Sequence, residues 1–117
     1  MSMSEATLKT GDTGRTLAAT LRYDDGQAID LTGCTVVFAM RQASATYAAV
    51  YAAADIDDDP TSGKVTFDGW GSGDLDDAGS YVAEFVITDS SAKETTVPSD
   101  GYLSVRILAG IDQAPSP

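Results

Sequence analysis

Asp74-Leu75-Asp76-Asp77-Ala78-Gly79-Ser80-Tyr81-Val82-Ala83-Glu84-Phe85-Val86-Ile87-Thr88 runs from an acidic turn straight into the clearest buried-strand pattern in the chain. Side chains two apart share one face of an extended strand, so Tyr81, Ala83, Phe85 and Ile87 point to a core while Glu84 and Thr88 point away. The rest of the chain reads as cover for this strand.

Other alternating stretches surround it. Leu17, Ala19, Leu21 and Tyr23 alternate with Thr16, Ala18, Thr20 and Arg22, which predicts a first long strand with one half-buried face. Asp24-Asp25-Gly26-Gln27 then reverses the chain, with Gly26 suited to the positive φ of a tight turn. Thr35 to Arg41 sets Val36, Phe38 and Met40 against Thr35, Val37, Ala39 and Arg41, a second core strand. Lys64 to Asp68 places Val65 and Phe67 inward, and Tyr102 to Leu108 places Leu103, Val105 and Ile107 inward. Gly11-Asp12-Thr13-Gly14, Asp57 to Gly63, Asp89 to Lys93 and Pro98-Ser99-Asp100-Gly101 supply turns between them.

The stretch Thr46 to Ala54 is ambiguous: its Tyr47, Ala49, Tyr51 alternation reads as strand and its alanine content as helix. Strands on both sides, and the marginal stability of an isolated helix of about nine residues, favour strand. Trp70, between Gly69 and Gly71, either caps the end of the core or forms an exposed platform for stacking a sugar.

Turn signals at intervals of about 8 to 12 residues, separating short alternating segments, predict an all-β fold: an immunoglobulin-like antiparallel β-sandwich of about seven strands. In such sandwiches a Tyr at the start of a central strand turns its hydroxyl back onto the preceding loop. Asp77-x-Gly79-x-Tyr81 is the candidate for this structural corner, against the plainer reading of an ordinary turn whose next strand happens to begin with Tyr. Ala83 stands two residues on, where antibody domains carry a disulfide cysteine, so apolar packing alone must join the sheets.

A chain of 117 residues makes one domain. We expect it at 7–108, flanked by a flexible N-terminal stub at 1–6 and a flexible C-terminal tail at 109–117. The single cysteine, Cys34, leaves no intramolecular disulfide and sits where an apolar run begins, reading as a structural thiol. No histidine is present, so the usual general base and the usual partner of a reactive thiol are both missing. No P-loop, dinucleotide fingerprint, zinc spacing or nucleophile elbow occurs. Asp55-x-Asp57-x-Asp59 imitates an EF-hand loop, but Pro60 replaces its bend glycine and Thr66 its bidentate glutamate. Adjacent Asp76 and Asp77 do not flank a substrate in the manner of glycosidase carboxylates. The expectation is a non-enzymatic protein with no catalytic residues, no metal and no cofactor.

Eighteen acidic residues against seven basic ones give a net charge of -11, which repels phosphate backbones and anionic lipids and so excludes nucleic-acid and membrane partners. The acids cluster in expected loops, as solvated turns or, alternatively, as a cation site. Neither a membrane-spanning run nor a secretory leader is visible, which predicts synthesis in a cytoplasm.

The motifs also come in a familiar order. Gly11-Asp12-Thr13-Gly14, Asp25-Gly26 with Asp30-Leu31-Thr32-Gly33, and Val36-x-Phe38-x-Met40-Arg41 are followed by Gly63-Lys64-Val65-Thr66-Phe67, Gly79-x-Tyr81-x-Ala83-Glu84-Phe85 and Thr96-Val97-Pro98 leading to Gly101-Tyr102-Leu103-Ser104-Val105. From about Leu8 to Ile107 this resembles the immunoglobulin-like N-terminal domain of phage baseplate upper proteins. In that family further segments follow the domain and reach toward host adhesins; few residues follow Leu108 here, so the resemblance implies the docking half of the role. The expected protein is a structural module of a bacteriophage virion, docking on tail, baseplate or head. Its implied partners are other virion proteins and further copies of itself in the particle. A capsid decoration protein, or a carbohydrate-binding module using Trp70, Tyr47, Tyr51 and Tyr102, are the alternatives.

Overall fold

The computed structural model describes residues 6–10, 14–23, 25–71, 77–98 and 102–109. The expectations for 1–5 and 110–117, and those for turns at Gly11 to Thr13, Asp24, Asp74 to Asp76 and Ser99 to Gly101, lie outside these residues. Among the described residues the strands are β1 (Ala6–Lys9), β2 (Leu17–Thr20), β3 (Thr35–Gln42), β4 (Val50–Ile56), β5 (Lys64–Phe67), β6 (Gly79–Thr88), β7 (Glu94–Val97) and β8 (Leu103–Leu108), with a 3-10 turn at Pro60–Ser62.

Hydrogen bonding links them in the order β1-β8-β6-β3-β4-β5-β2, and β7 pairs with β6. β6 is the hub. β3 runs antiparallel along its whole length, from Thr35↔Thr88 to Gln42↔Tyr81. Its other edge is divided, with β8 on Gly79 to Ala83 and β7 on Phe85 to Thr88. β4 belongs to both halves of the sheet, since its first residues pair with β3 while Asp55 and Ile56 pair with β5. This handover turns β5 and β2 across the face of β3 and β6, so the sheet curls over one core in the manner of a sandwich.

Four aromatic side chains show the closure. Phe38 of β3 stacks on Phe67 of β5 at 4.7 Å between ring centroids and lies 5.3 Å from Phe85 of β6. Trp70 meets Phe67 and Phe38 edge-on at 4.9 and 5.7 Å. Each buried Phe contributes on the order of 2 to 3 kcal/mol by leaving water. Trp70 is only 6% exposed, and its indole nitrogen donates to the Arg15 carbonyl at 2.9 Å. The sugar-platform option for Trp70 is therefore overturned: the ring packs against Phe38 and Phe67 and its one polar atom is paired. Cys34 packs half-buried against the same cluster.

Three differences from the sequence expectation have physical causes. One ladder is parallel, β1 on β8 from Ala6↔Val105 to Lys9↔Leu108, so the sheet is mixed rather than wholly antiparallel. β1 is only four residues long, with Leu8 buried between Thr7 and Lys9, which is too short for an alternation signal. The first long strand ends at Thr20: the Leu21 amide still bonds the Gly63 carbonyl at 2.7 Å in the β2–β5 register, but the Leu21 carbonyl accepts from Ile29 at 2.9 Å, and beyond it the pairing is a bridge from Arg22 to Ala28. Tyr23 is accordingly 52% exposed. In the ambiguous stretch the strand begins at Val50, and the inward set is Val50, Ala52, Ala54 and Ile56 rather than the tyrosine phase.

The aspartates explain much of the acidity. Asp25, Asp30, Asp57, Asp59 and Asp89 each accept a backbone amide two residues on, at 2.9 to 3.2 Å. These are Asx turns, in which a short carboxylate stands in for a backbone acceptor.

Candidate interaction face

In an antiparallel sheet with one buried side, the outward residues of the central strands are expected to be polar. Here they are not. The outward positions of β3 and β6 include Val37, Ala39, Val82 and Val86, all half-buried. Register sets them in rows across the sheet. Val37 lies between Ala53 and Val86, Ala39 between Tyr51 and Glu84, and Val82 between Arg41 and Ser104. A shallow depression of about 230 Å³ opens over the Ala39 and Val82 rows, walled by Tyr51, Tyr102, Thr46 and Ala48.

Arg41 organises one rim. Its Nη1 donates to the carbonyls of Gln42, Ala43 and Ala45 at 3.3, 3.2 and 2.9 Å. The Ala49 amide returns to the Met40 carbonyl at 2.7 Å, so the 43–49 loop is held at both ends. At its tip Tyr47 is 86% exposed. The Arg41 guanidinium also lies over the Tyr102 ring, 5.3 Å from its centroid, a cation-π contact that fixes the second tyrosine wall. The charged residues lining the depression are Arg41 and Glu84, opposite in sign. On a chain of net charge -11 this face is thus close to neutral. Tyrosine-rich, charge-poor surfaces of this kind suit a macromolecular partner, because tyrosine supplies large contact area at low entropic cost.

The sequence-predicted corner lies elsewhere. Tyr81 points inward at 3% exposure, and its hydroxyl donates to the Asp77 carbonyl at 2.8 Å while accepting from Gln42 Nε2 at 3.4 Å. Gly79 opens β6 at φ 147°, a backbone conformation that favours glycine. Exposed Asp77, through its carbonyl, and exposed Gly79, through its backbone conformation, thus stand at the start of β6, where Tyr81 turns to the core side and not to the outer face. Of the four aromatic residues offered for sugar binding, Tyr51 and Tyr102 meet around the depression, Tyr47 lies in the chain between its lining residues Thr46 and Ala48 but points to solvent, and Trp70 is excluded. Arg41, Glu84 and Val82 were not singled out from sequence. A signal for them existed in the unbroken apolar runs Val36 to Met40 and Phe85 to Ile87, which leave apolar residues on both faces. Among the described residues, no group of three or more acidic or cysteine side chains comes together as a metal site, and no helix is long and apolar enough to cross a membrane.

Residues 2–112 match the family model described as the BppU N-terminal domain. No curated protein matches the chain. Among solved structures, the crystal structure of CopC from Methylosinus trichosporium OB3b is similar, at 12% identity and a TM-score of 0.52, covering 96% of this chain and 91% of that one. At that identity the likeness is one of fold.

Proposed function

The chain belongs to the BppU N-terminal domain family of phage baseplate upper proteins, and from that premise we propose that it is a non-enzymatic structural protein that docks in a bacteriophage virion. The observation that carries the docking role is the outer face of β3, β4 and β6, where Tyr51 and Tyr102 wall a nearly neutral depression on an otherwise acidic chain. Other virion proteins are its partners, and copies of the chain assemble with them in the particle. The tyrosines act as anchors, while half-buried Val37, Ala39 and Val82 leave water when the partner covers them. Net repulsion between chains of charge -11 directs this face to a less acidic partner before a second copy.

The test is to purify particles, quantify the chain in them by mass spectrometry and locate it by antibody labelling. The wild-type chain is expected in the particle at the tail or baseplate. Label over the head would move the assignment to a decoration protein, and absence of the chain would end the virion reading. Replacing Tyr51 and Tyr102 together by Ala is expected to lower incorporation by about tenfold or more, as anchor residues at interfaces do, without lowering the melting temperature. Equal incorporation would remove the face from the docking role.

A further inference from the structure

In a strand, successive residues turn their amide and carbonyl groups to opposite edges, so fixing one bond fixes the rest. On β3 the Ala43 amide bonds the Ser80 carbonyl at 3.0 Å, on the β6 side. The Met40 carbonyl accepts from Ala49 at 2.7 Å, on the β4 side. With the register Met40↔Val50, Phe38↔Ala52 and Val36↔Ala54, the even-numbered residues of β4 face β3. Tyr51, Ala53 and Asp55 therefore turn their backbone groups to the opposite edge. β5 occupies that edge only from Asp55 onward, through Asp55↔Thr66, Ile56↔Val65 and the bond from the Asp57 amide to the Lys64 carbonyl at 3.0 Å. Beside Tyr51 and Ala53 no strand is present among the described residues.

Exposed strand edges are ordinarily guarded by charge, proline or a very short length. β1 carries Lys9, β7 opens with Glu94 beside Lys93, and β2 lies between Arg15 and Arg22. The Val50-Tyr51-Ala52-Ala53-Ala54 edge carries no charge and no proline, and its outward side chain at Ala53 is small. It also adjoins the depression through Tyr51. Past its far end stand Asp55, Asp57, Asp58 and Asp59, all exposed.

We propose that this edge of β4 receives an extended segment of another virion protein as an added strand along Tyr51 and Ala53, with Lys or Arg at the end of the segment that stops nearest Asp55 to Asp59. Main-chain bonds to Tyr51 and Ala53 hold the segment, and alternate side chains fall on the tyrosine face. Charge selects the occupant. A basic end is drawn to the aspartates, whereas a second copy brings another -11. The inference rests on the virion reading and names the element that the partner engages.

Two variants of the full chain test it. Ala53→Pro removes the amide that faces the open edge without touching a bond to β3, and Ala53→Lys keeps the amide but installs the charge that guards natural edges. Both are assayed for melting temperature and for incorporation into particles. In parallel, isotope-labelled protein is mixed with a capped peptide of alternating valine and threonine ending in two lysines, and with its glutamate-ended counterpart. The lysine peptide is expected to slow hydrogen exchange at Tyr51 and Ala53 and to bind about tenfold more tightly than the glutamate one, and both variants are expected to enter particles about tenfold less than wild type. Wild-type-like incorporation of both variants, or a lysine peptide that leaves those amides unchanged, overturns the edge while leaving the virion reading in place. If the wild-type chain is absent from particles, the virion reading fails and the peptide experiment alone decides the edge. Wild-type dimers that Ala53→Lys dissociates would make the occupant a second copy and overturn the proposal. Should Ala53→Pro unfold, Ala53→Lys and the peptides carry the decision.

Discussion

Tyr81 spends its hydroxyl on the Asp77 carbonyl while its ring sits in the core, so replacing it by Phe keeps the packing and takes a partner from the Asp77 carbonyl and from Gln42 Nε2. The expected cost is about 1 kcal/mol, or about 4 °C in melting temperature, with the fold retained. An unchanged melting curve would show that the bond contributes nothing. Gly63 is constrained twice: its φ is 72°, and a Cβ there would lie 2.7 Å from the Leu21 carbonyl oxygen. Gly63→Ala is expected to destabilise by about 2 kcal/mol or more, measured by urea unfolding. Asp30 provides a pH signature. The hydroxyl of Thr32, and then its amide, donate to the Asp30 carboxylate and hold its pKa below the ordinary value of 3.8. The ionised form is favoured in the folded state, so this contribution is complete above 3.8 and is lost as pH falls through the lowered value. Asp30→Asn should leave a shallower fall of melting temperature between neutral pH and acid; an identical acid limb would remove Asp30 as a contributor.

At the scale of elements, the 43–49 loop depends on one side chain. Arg41→Met keeps the aliphatic stem but removes the donors to the Gln42, Ala43 and Ala45 carbonyls and the charge over Tyr102. Global stability is expected to fall by no more than about 1 kcal/mol, because the loop is at the surface, while hydrogen exchange within the loop accelerates. Unaltered exchange there would mean that the backbone alone orders it. The elements that were legible in the sequence are those whose two faces differ. β8 alternates cleanly, β5 shows Val65 and Phe67 between polar neighbours, and β6 sets Tyr81, Ala83, Phe85 and Ile87 opposite Ser80, Glu84 and Thr88 even though Val82 and Val86 share that outer face, so their inward residues follow directly. β1 was illegible because four residues, Ala6 to Lys9, are too few to show an alternation. The phase of β4 was hidden because alanine fits either face, and the tyrosines that caught attention lie on the outer one. Trp70 was undecidable locally: its burial is set by Phe38 and Phe67, which arrive from distant parts of the chain. The outer face was half legible, through apolar runs that break alternation, but no spacing rule could bring Tyr102 to Arg41.

For the whole molecule, charge is the dominant global term. With a net charge of -11, self-repulsion is screened by salt, and the melting temperature is expected to rise by about a few degrees between low and moderate ionic strength. Calcium at matched ionic strength should add little beyond this, because Asp25, Asp30, Asp57, Asp59 and Asp89 already accept hydrogen bonds in their own turns. A specific calcium site would instead add roughly 2 to 4 kcal/mol at saturating metal, an effect that calorimetry would resolve easily. The parallel pairing of β1 with β8 has a mechanical meaning. Force applied through the residues before Ala6 and after Leu108 draws these two strands in opposite directions along their own axes. The ladder from Ala6↔Val105 to Lys9↔Leu108, extended by the Thr10 amide on the Leu108 carbonyl, is then loaded in shear, and its bonds share the tension instead of parting one after another. Held in an optical trap by its two ends, the domain should resist as a clamp. Held at Thr35 and Ile56, where the β3 and β4 ladder opens from one end, it should yield at lower force.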